Sequence, residues 1–191
     1  MHRRFALVIA SFLAAVVVVG CNSDKKDASS SSSKMQAGNV QTASATIRPS
    51  KAAATQPSNT NVTGTAKFTQ EGNDVHVVAD LTGLSPGKHG FHIHDKGDLS
   101  DPQLTSAGAH YNPSKSHHGG PDTPMHHTGD LGNIVADDSG NAHLDQTIPN
   151  LKLSAIVGKS VIVHAKADDL KPDPAGNSGG RIAGGVIEAA R

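Results

Sequence analysis

From Thr42 onward the apolar side chains recur with a period of two, and no stretch beyond the first twenty residues sustains a period of 3.6. Asp74–Leu81 shows this most clearly, with Val75, Val77, Ala79 and Leu81 on one parity. Successive side chains of a strand point to opposite faces, so this segment reads as a half-buried strand. Val62–Thr69 places Val62, Ala66 and Phe68 on one face in the same way. Thr42–Arg48, Lys88–His94, Asn133–Asp137, Ala142–Thr147, Ser160–Ala165 and Arg181–Glu188 bring the total to about eight short strands. Turn residues separate them, notably Leu84-Ser85-Pro86-Gly87-Lys88 and the hairpin-forming Asp138-Ser139-Gly140. Such a chain folds as an antiparallel sandwich or barrel. With no Trp and 3% aromatics, its core must be built from Val, Ile, Leu and Ala. Two long irregular segments, 95–128 and 166–180, interrupt the pattern, and loops of that length in a small domain usually carry function.

The first forty residues follow other rules. Arg3 and Arg4 precede an apolar run from Phe5 to Val19, then Gly20-Cys21. A basic start and a short apolar stretch make a secretory signal rather than a stable membrane span. Val18-Val19-Gly20-Cys21 resembles a bacterial lipobox, which implies that the signal segment 1–21 is cleaved ahead of Cys21, that Cys21 is acylated as the first mature residue, and that the protein is anchored to a membrane of the cell envelope. Residues 22–40, rich in Ser, bury too little to order themselves and read as a tether. Residues 41–191 then form one domain. Lys+Arg and Asp+Glu are 17 each, which argues against a nucleic-acid partner. The single Cys excludes both an internal disulfide and a thiolate zinc site.

The chain holds 12 His, far more than packing needs. In Gly90-Phe91-His92-Ile93-His94 the imidazoles at i and i+2 share one strand face while Phe91 and Ile93 turn to the other. Two imidazoles on one face make half of a copper or zinc site. Others follow in Ala109-His110-Tyr111-Asn112-Pro113, His117-His118-Gly119-Gly120-Pro121 and His126-His127-Thr128-Gly129-Asp130, and His164 ends the apolar run Val161-Ile162-Val163. Singly, a His-rich loop can be a solvated tract and a strand-ending His a satisfied core residue. Their succession, with an Asp three residues after the last loop His, favours metal.

Six segments in order, Gly90–His94, Ser106–Pro113, His118–Pro121, Gly129–Asn133, Val163–Leu170 and Gly176–Ile187, resemble the copper/zinc superoxide dismutase family. The resemblance covers most of residues 60–191. It implies an all-β fold, an antiparallel Greek-key barrel or sandwich of about eight strands with two long functional loops. It implies one copper ion per subunit, held by His92, His94, His110 and His164, and one zinc ion, held by His110, His118, His127 and Asp130. His110 would bridge the two ions and serve as proton donor. Asp168 would link ligands of both metals, and Arg181 would receive the anionic substrate, superoxide, beside copper. His118 and His127 are preferred over their neighbours His117 and His126 by their Gly-Gly-Pro and Gly-Asp-Leu-Gly surroundings. His89 has a packing counterpart in the family, and His76 and His143 read as surface residues. The family fold also admits a homodimer. A non-catalytic copper- and zinc-binding envelope lipoprotein on the same fold is the alternative reading.

Two departures from the family pattern stand out. Its disulfide is absent, with Leu104 and Gly184 at the two positions. Losing such a staple costs about 2–4 kcal/mol, so the expectation is a less heat-resistant enzyme or one in which buried Leu104 compensates. The segment from Asp168 to Arg181 is also shorter than the family's charged guiding loop, although Lys166 and Lys171 remain. Steering of superoxide should therefore be weak, and its consumption should change little as ionic strength rises. A rate that falls steeply in a salt titration would overturn that expectation.

Overall fold

A computed structural model describes residues 40–53, 61–171 and 174–190. The signal segment 1–21, Cys21 and the tether 22–40 lie outside the described residues, Val40 excepted. Among the described residues nine strands follow one another: β1 (Thr42–Pro49), β2 (Thr63–Glu71), β3 (Asp74–Thr82), β4 (Gly87–His94), β5 (Asp130–Ala136), β6 (Ala142–Ile148), β7 (Ser160–His164), β8 (Arg181–Val186) and β9 (Glu188–Ala189). Among the described residues there is no α-helix.

The sheet runs β2-β3-β6-β5-β4-β7-β8-β1-β9, and β1 also pairs with β2, which closes it into a barrel. Strand β3 lies beside β6 rather than β4, the Greek-key arrangement of a returning strand. The expected last strand, Arg181–Glu188, is two pieces. Ile187 gives its N–H to Lys159 and its carbonyl to Gly158, and this breaks the ladder between β8 and β9. Both pieces pair with β1, Arg48 facing Gly184 and Ala43 facing Ala189, so the barrel has eight staves.

The period of two sets the core. Val75, Val77, Ala79 and Leu81 are buried, as are Val62, Ala66 and Phe68. Phe91 and Ile93 join the same cluster from β4. The other parity of β4 is buried as well, because His92 and His94 are roofed by the two long loops instead of facing water.

Strand β5 begins three residues earlier than the pattern suggests. The β4–β5 pairing shifts register between Gly90 and His92, which lets Asp130 face His92 and carries Leu131 into the core. That shift is what delivers Asp130 to the histidines.

The two positions that would carry the family's disulfide are in contact. Leu104 is buried with Ala107 and Ile162 in a small cluster outside the barrel core. Its Cδ1 lies 3.4 Å from where a side chain on Gly184 would begin. Burial of one Leu contributes about 1.5–3 kcal/mol, comparable to the staple it stands in for.

Candidate metal centre

Strands β4 and β7 are antiparallel neighbours, with His92 opposite Ile162 and Phe91 opposite Val163, so His164 at the end of β7 reaches the imidazole face of β4. The loop after β4 doubles back along that strand. Asp95 N–H donates to Ala109 O at 2.9 Å and Tyr111 N–H to Ile93 O at 2.8 Å. This pairs His110 with His94 in an isolated antiparallel bridge. Four rings therefore meet, with centroid separations of 4.1 Å for His92–His110, 4.9 Å for both His94–His110 and His92–His164, and 5.6 Å for His94–His164.

Each ring is oriented through its other nitrogen. His94 Nδ1–H donates to Gly108 O at 2.9 Å and His164 Nδ1–H to Gly179 O at 3.3 Å, which leaves their Nε2 atoms 3.4 Å apart. His92 is turned the opposite way. Its Nε2–H donates to Asp168 Oδ2 at 2.8 Å, and its Nδ1 is buried without a hydrogen-bond partner. His110 Nε2 is likewise buried and unpartnered, while its Nδ1 lies 2.7 Å from Asp130 Oδ1. Buried nitrogens without partners are costly unless something else occupies them. One donor atom from each of His92, His94, His110 and His164 lies within 4.8 Å of the others. Four neutral imidazoles suit copper in either oxidation state.

A second group meets on the far side of His110. His110, His118, His127 and Asp130 also bring one donor atom each within 4.8 Å of one another. Asp130 Oδ1 is the hub, 3.0 Å from His118 Nδ1 and 3.3 Å from His127 Nδ1. Its Oδ2 accepts the backbone N–H groups of His127 at 2.9 Å and Gly119 at 3.2 Å, which fixes the carboxylate. Three imidazoles and one carboxylate form a closed donor set of the kind zinc takes. His110 is common to both groups.

Asp168 spans the two. Its Oδ2 accepts from His92, and its Oδ1 accepts from His118 Nε2–H at 3.0 Å and from Leu170 N–H at 2.7 Å. Asn133 holds Asp168 in turn: its Oδ1 accepts the Asp168 N–H at 2.7 Å and its Nδ2 donates to the Asp168 carbonyl at 3.0 Å. The sequence reading did not single out Asn133.

Arg181, at the start of β8, is partly buried and donates from Nη1 to Leu104 O at 2.6 Å and from Nη2 to Gly108 O at 2.7 Å. It lines a cavity of about 510 Å³ together with His94, His110 and His164, and among the described residues the rest of the lining carries no charge: Thr105, Gly108, Ala109, Pro174, Ala175, Asn177, Ser178 and Gly179. Every expected site residue among 92, 94, 110, 118, 127, 130, 164, 168 and 181 thus lies in one contiguous assembly.

The neighbouring histidines sort themselves by geometry. His117 is exposed, and His126 points its Nδ1–H at the His127 carbonyl, 2.7 Å away. His89 is buried, donating from Nδ1 to His164 O at 2.8 Å, with Nε2 3.1 Å from the Ser85 hydroxyl. His76 pairs with Asp145 and His143 with Asp80, each at 2.7 Å on the outer surface.

Burial sets the protonation of three of these histidines. It pushes His92 down to about 4 and His94 and His164 well below the ordinary histidine value. His118 goes the other way. Burial alone would lower it, but its hydrogen bonds to Asp130 and Asp168 raise it to about 9. The same pairs, against the opposing effect of burial, hold Asp130 and Asp168 well below the carboxylate range. Stability of the metal-free protein should follow. Between about pH 4 and 6.5 the unfolded chain binds protons that buried His92 does not, so stability rises with pH. Between 6.5 and about 9 folded His118 keeps a proton the unfolded chain has lost, so stability falls. Thermal melting of metal-free protein should peak near pH 6.5, and a midpoint climbing steadily from pH 6.5 to 9 would contradict this balance.

Comparison with known proteins gives a consistent result. Residues 62–187 match the sequence profile of the copper/zinc superoxide dismutase family. The chain is 48% identical over 143 residues to an extracellular superoxide dismutase [Cu-Zn] of Drosophila melanogaster, covering 69% of this chain and 78% of the relative. It is 43% identical over 141 residues to an extracellular superoxide dismutase [Cu-Zn] of Brugia pahangi, covering 68% and 70%. Among solved structures, the crystal structure of the clock protein EA4 superposes with a TM-score of 0.69 at 37% identity, covering 80% of this chain and 96% of that one.

Proposed function

The chain belongs to the copper/zinc superoxide dismutase family, and on that premise we propose that it disproportionates superoxide outside the cytoplasm, with the site residues in the following roles. Overall, two superoxide anions and two protons become dioxygen and hydrogen peroxide. Copper among His92, His94, His110 and His164 supplies the one-electron chemistry, and zinc among His110, His118, His127 and Asp130 supplies fixed positive charge without redox activity.

The chain's own residues do the rest. Arg181 spends one N–H on Leu104 and one on Gly108, which fixes the guanidinium plane and leaves its remaining N–H groups for a small anion. Its charge sits in the same cavity as His94, His110 and His164, so a bound anion is brought to the imidazole cluster. His110 lines that cavity, and its Nε2, which has no hydrogen-bond partner among the described residues, is the atom we assign to carry a proton to the departing peroxide. The Nδ1 of His110 faces Asp130 and the zinc donor group, and engagement there would keep this ring from rotating as the proton moves. His94 and His164 stay neutral at physiological pH and do not compete as acids.

The observation that carries this reading is the single imidazole shared by two four-residue donor groups. The test is superoxide consumption by protein loaded with copper and zinc. No activity in fully loaded protein would leave the non-catalytic metal-binding alternative standing.

The setting is the cell envelope, where the enzyme would intercept extracytoplasmic superoxide. Arg3, Arg4, the apolar run to Val19 and Cys21 support a lipid-anchored protein, and two of the relatives are named as extracellular. The variant Cys21→Ala should leave the membrane fraction of expressing cells. If it sediments with membranes as the parent does, the anchor lies elsewhere.

A further inference from the structure

Where Asp168 bonds His92 and His118, the backbone on its open side comes very close. That backbone is Gly176. Its φ is +60°, and a Cβ built there would overlap Asp168 Oδ1 and lie 2.6 Å from both Asp168 Cγ and His118 Nε2. The space a methyl group would need is the space of the carboxylate–imidazole hydrogen bond itself.

Gly176 is not free to move away. Its carbonyl accepts the Asp169 N–H at 2.8 Å, and the next residue, Asn177, donates from Nδ2 to Asp169 Oδ2 at 2.8 Å. On the other side Asn133 grips the Asp168 backbone through both its N–H and its carbonyl. Asp168 is therefore held between an amide clamp and a bare backbone, and a side chain at 176 must displace the carboxylate or the imidazole.

We propose that Gly176 is a positioning residue for the metal centre: the absence of a side chain there lets Asp168 orient His92 toward the copper group and His118 toward the zinc group. This rests on the reading of those histidines as metal ligands. Gly176 touches no donor atom of its own accord and acts through Asp168.

Gly72 supplies the control. Its φ is +62°, and nothing lies within 4 Å of a Cβ built on it. Gly72→Ala therefore imposes the same backbone strain without the collision. The measurement is zinc affinity of the full chain by competition with a chelator, and the electron paramagnetic resonance of bound copper(II) as a report on His92. Gly176→Ala should bind zinc about 10–100-fold more weakly, the range found when partners of metal-bound imidazoles are disturbed, and should alter the copper signal. Gly72→Ala should match the parent in both. On an Asp168→Ala background, Gly176→Ala should add much less than it costs in the parent, because its nearest collision is gone and only the His118 ring, no longer held by Asp168, has to give way.

Gly176→Ala binding zinc as tightly as the parent would overturn the proposal, as would an equal further loss on the Asp168→Ala background. If Gly176→Ala does not fold, the double variant decides: folding like Asp168→Ala supports the collision, and failing like Gly176→Ala refutes it. A parent protein that takes up no zinc overturns the metal-centre reading and this proposal with it.

Discussion

Changing His164 to Ala is expected to lower superoxide consumption by more than about a hundredfold. Disturbing only the partner of a metal-bound imidazole costs about 10–100-fold in affinity or activity, and loss of a direct donor should exceed that. The geometry gives the reason. His164 Nε2 faces His94 Nε2 at 3.4 Å and completes a group in which one of the remaining three rings is already shared. The substitution leaves Arg181 and its contacts to Leu104 and Gly108 intact, so binding of the anion near the site should persist. It also lies off the barrel core, and the zinc group does not include it. The variant should therefore keep its zinc and its fold while losing copper and turnover. Activity equal to the parent at equal metal loading would reject catalysis at these four residues.

Asp130→Ala should produce the largest change in stability together with loss of zinc. The Asp130 carboxylate is fully buried and faces the rings of His110, His118 and His127 through one oxygen while taking two backbone N–H groups on the other. Removing one partner from a buried charged cluster costs about 3–5 kcal/mol, because the groups left behind cannot return to water. Urea unfolding of the metal-free protein should read that loss, and zinc competition should read the missing ligand. Asp130→Asn separates the two effects. An amide oxygen can still accept the Gly119 and His127 N–H groups, so part of the stability should return, but it offers no charge to offset the zinc ion. If Asp130→Asn binds zinc like the parent, the carboxylate is not a ligand and the second donor group is wrong.

Much of this centre can be read along the chain because the relevant rule is local. The alternation of Phe91 and Ile93 with His92 and His94 places the two imidazoles together whatever the rest of the protein does. Asp130 lies three residues after His127, close enough that its Oδ2 takes the His127 N–H directly. The choice between His117 and His118 or between His126 and His127 rested on family context alone. In space, His118 and His127 are the ones whose rings turn inward against Asp130.

Asn133 and Gly176 were invisible for a related reason. One is an ordinary amide in a strand and the other an ordinary glycine in a loop, and their importance comes from Asp168, 35 residues from the first and packed against the second only in the fold. The approach of Leu104 to Gly184 is equally a contact made only in the fold.

The sequence by itself determined the strand period, the all-β class, and the types and order of the candidate donor residues. Tertiary structure alone decided the closure of the barrel through β1, the break at Ile187, the register shift that presents Asp130 and the nitrogen each imidazole turns to the site. The physical reason is range. Side-chain alternation is set by adjacent peptide units, whereas ring orientation and burial depend on carbonyls and carboxylates brought together from distant parts of the chain, such as Gly108 for His94, Gly179 for His164 and Asp168 for His92.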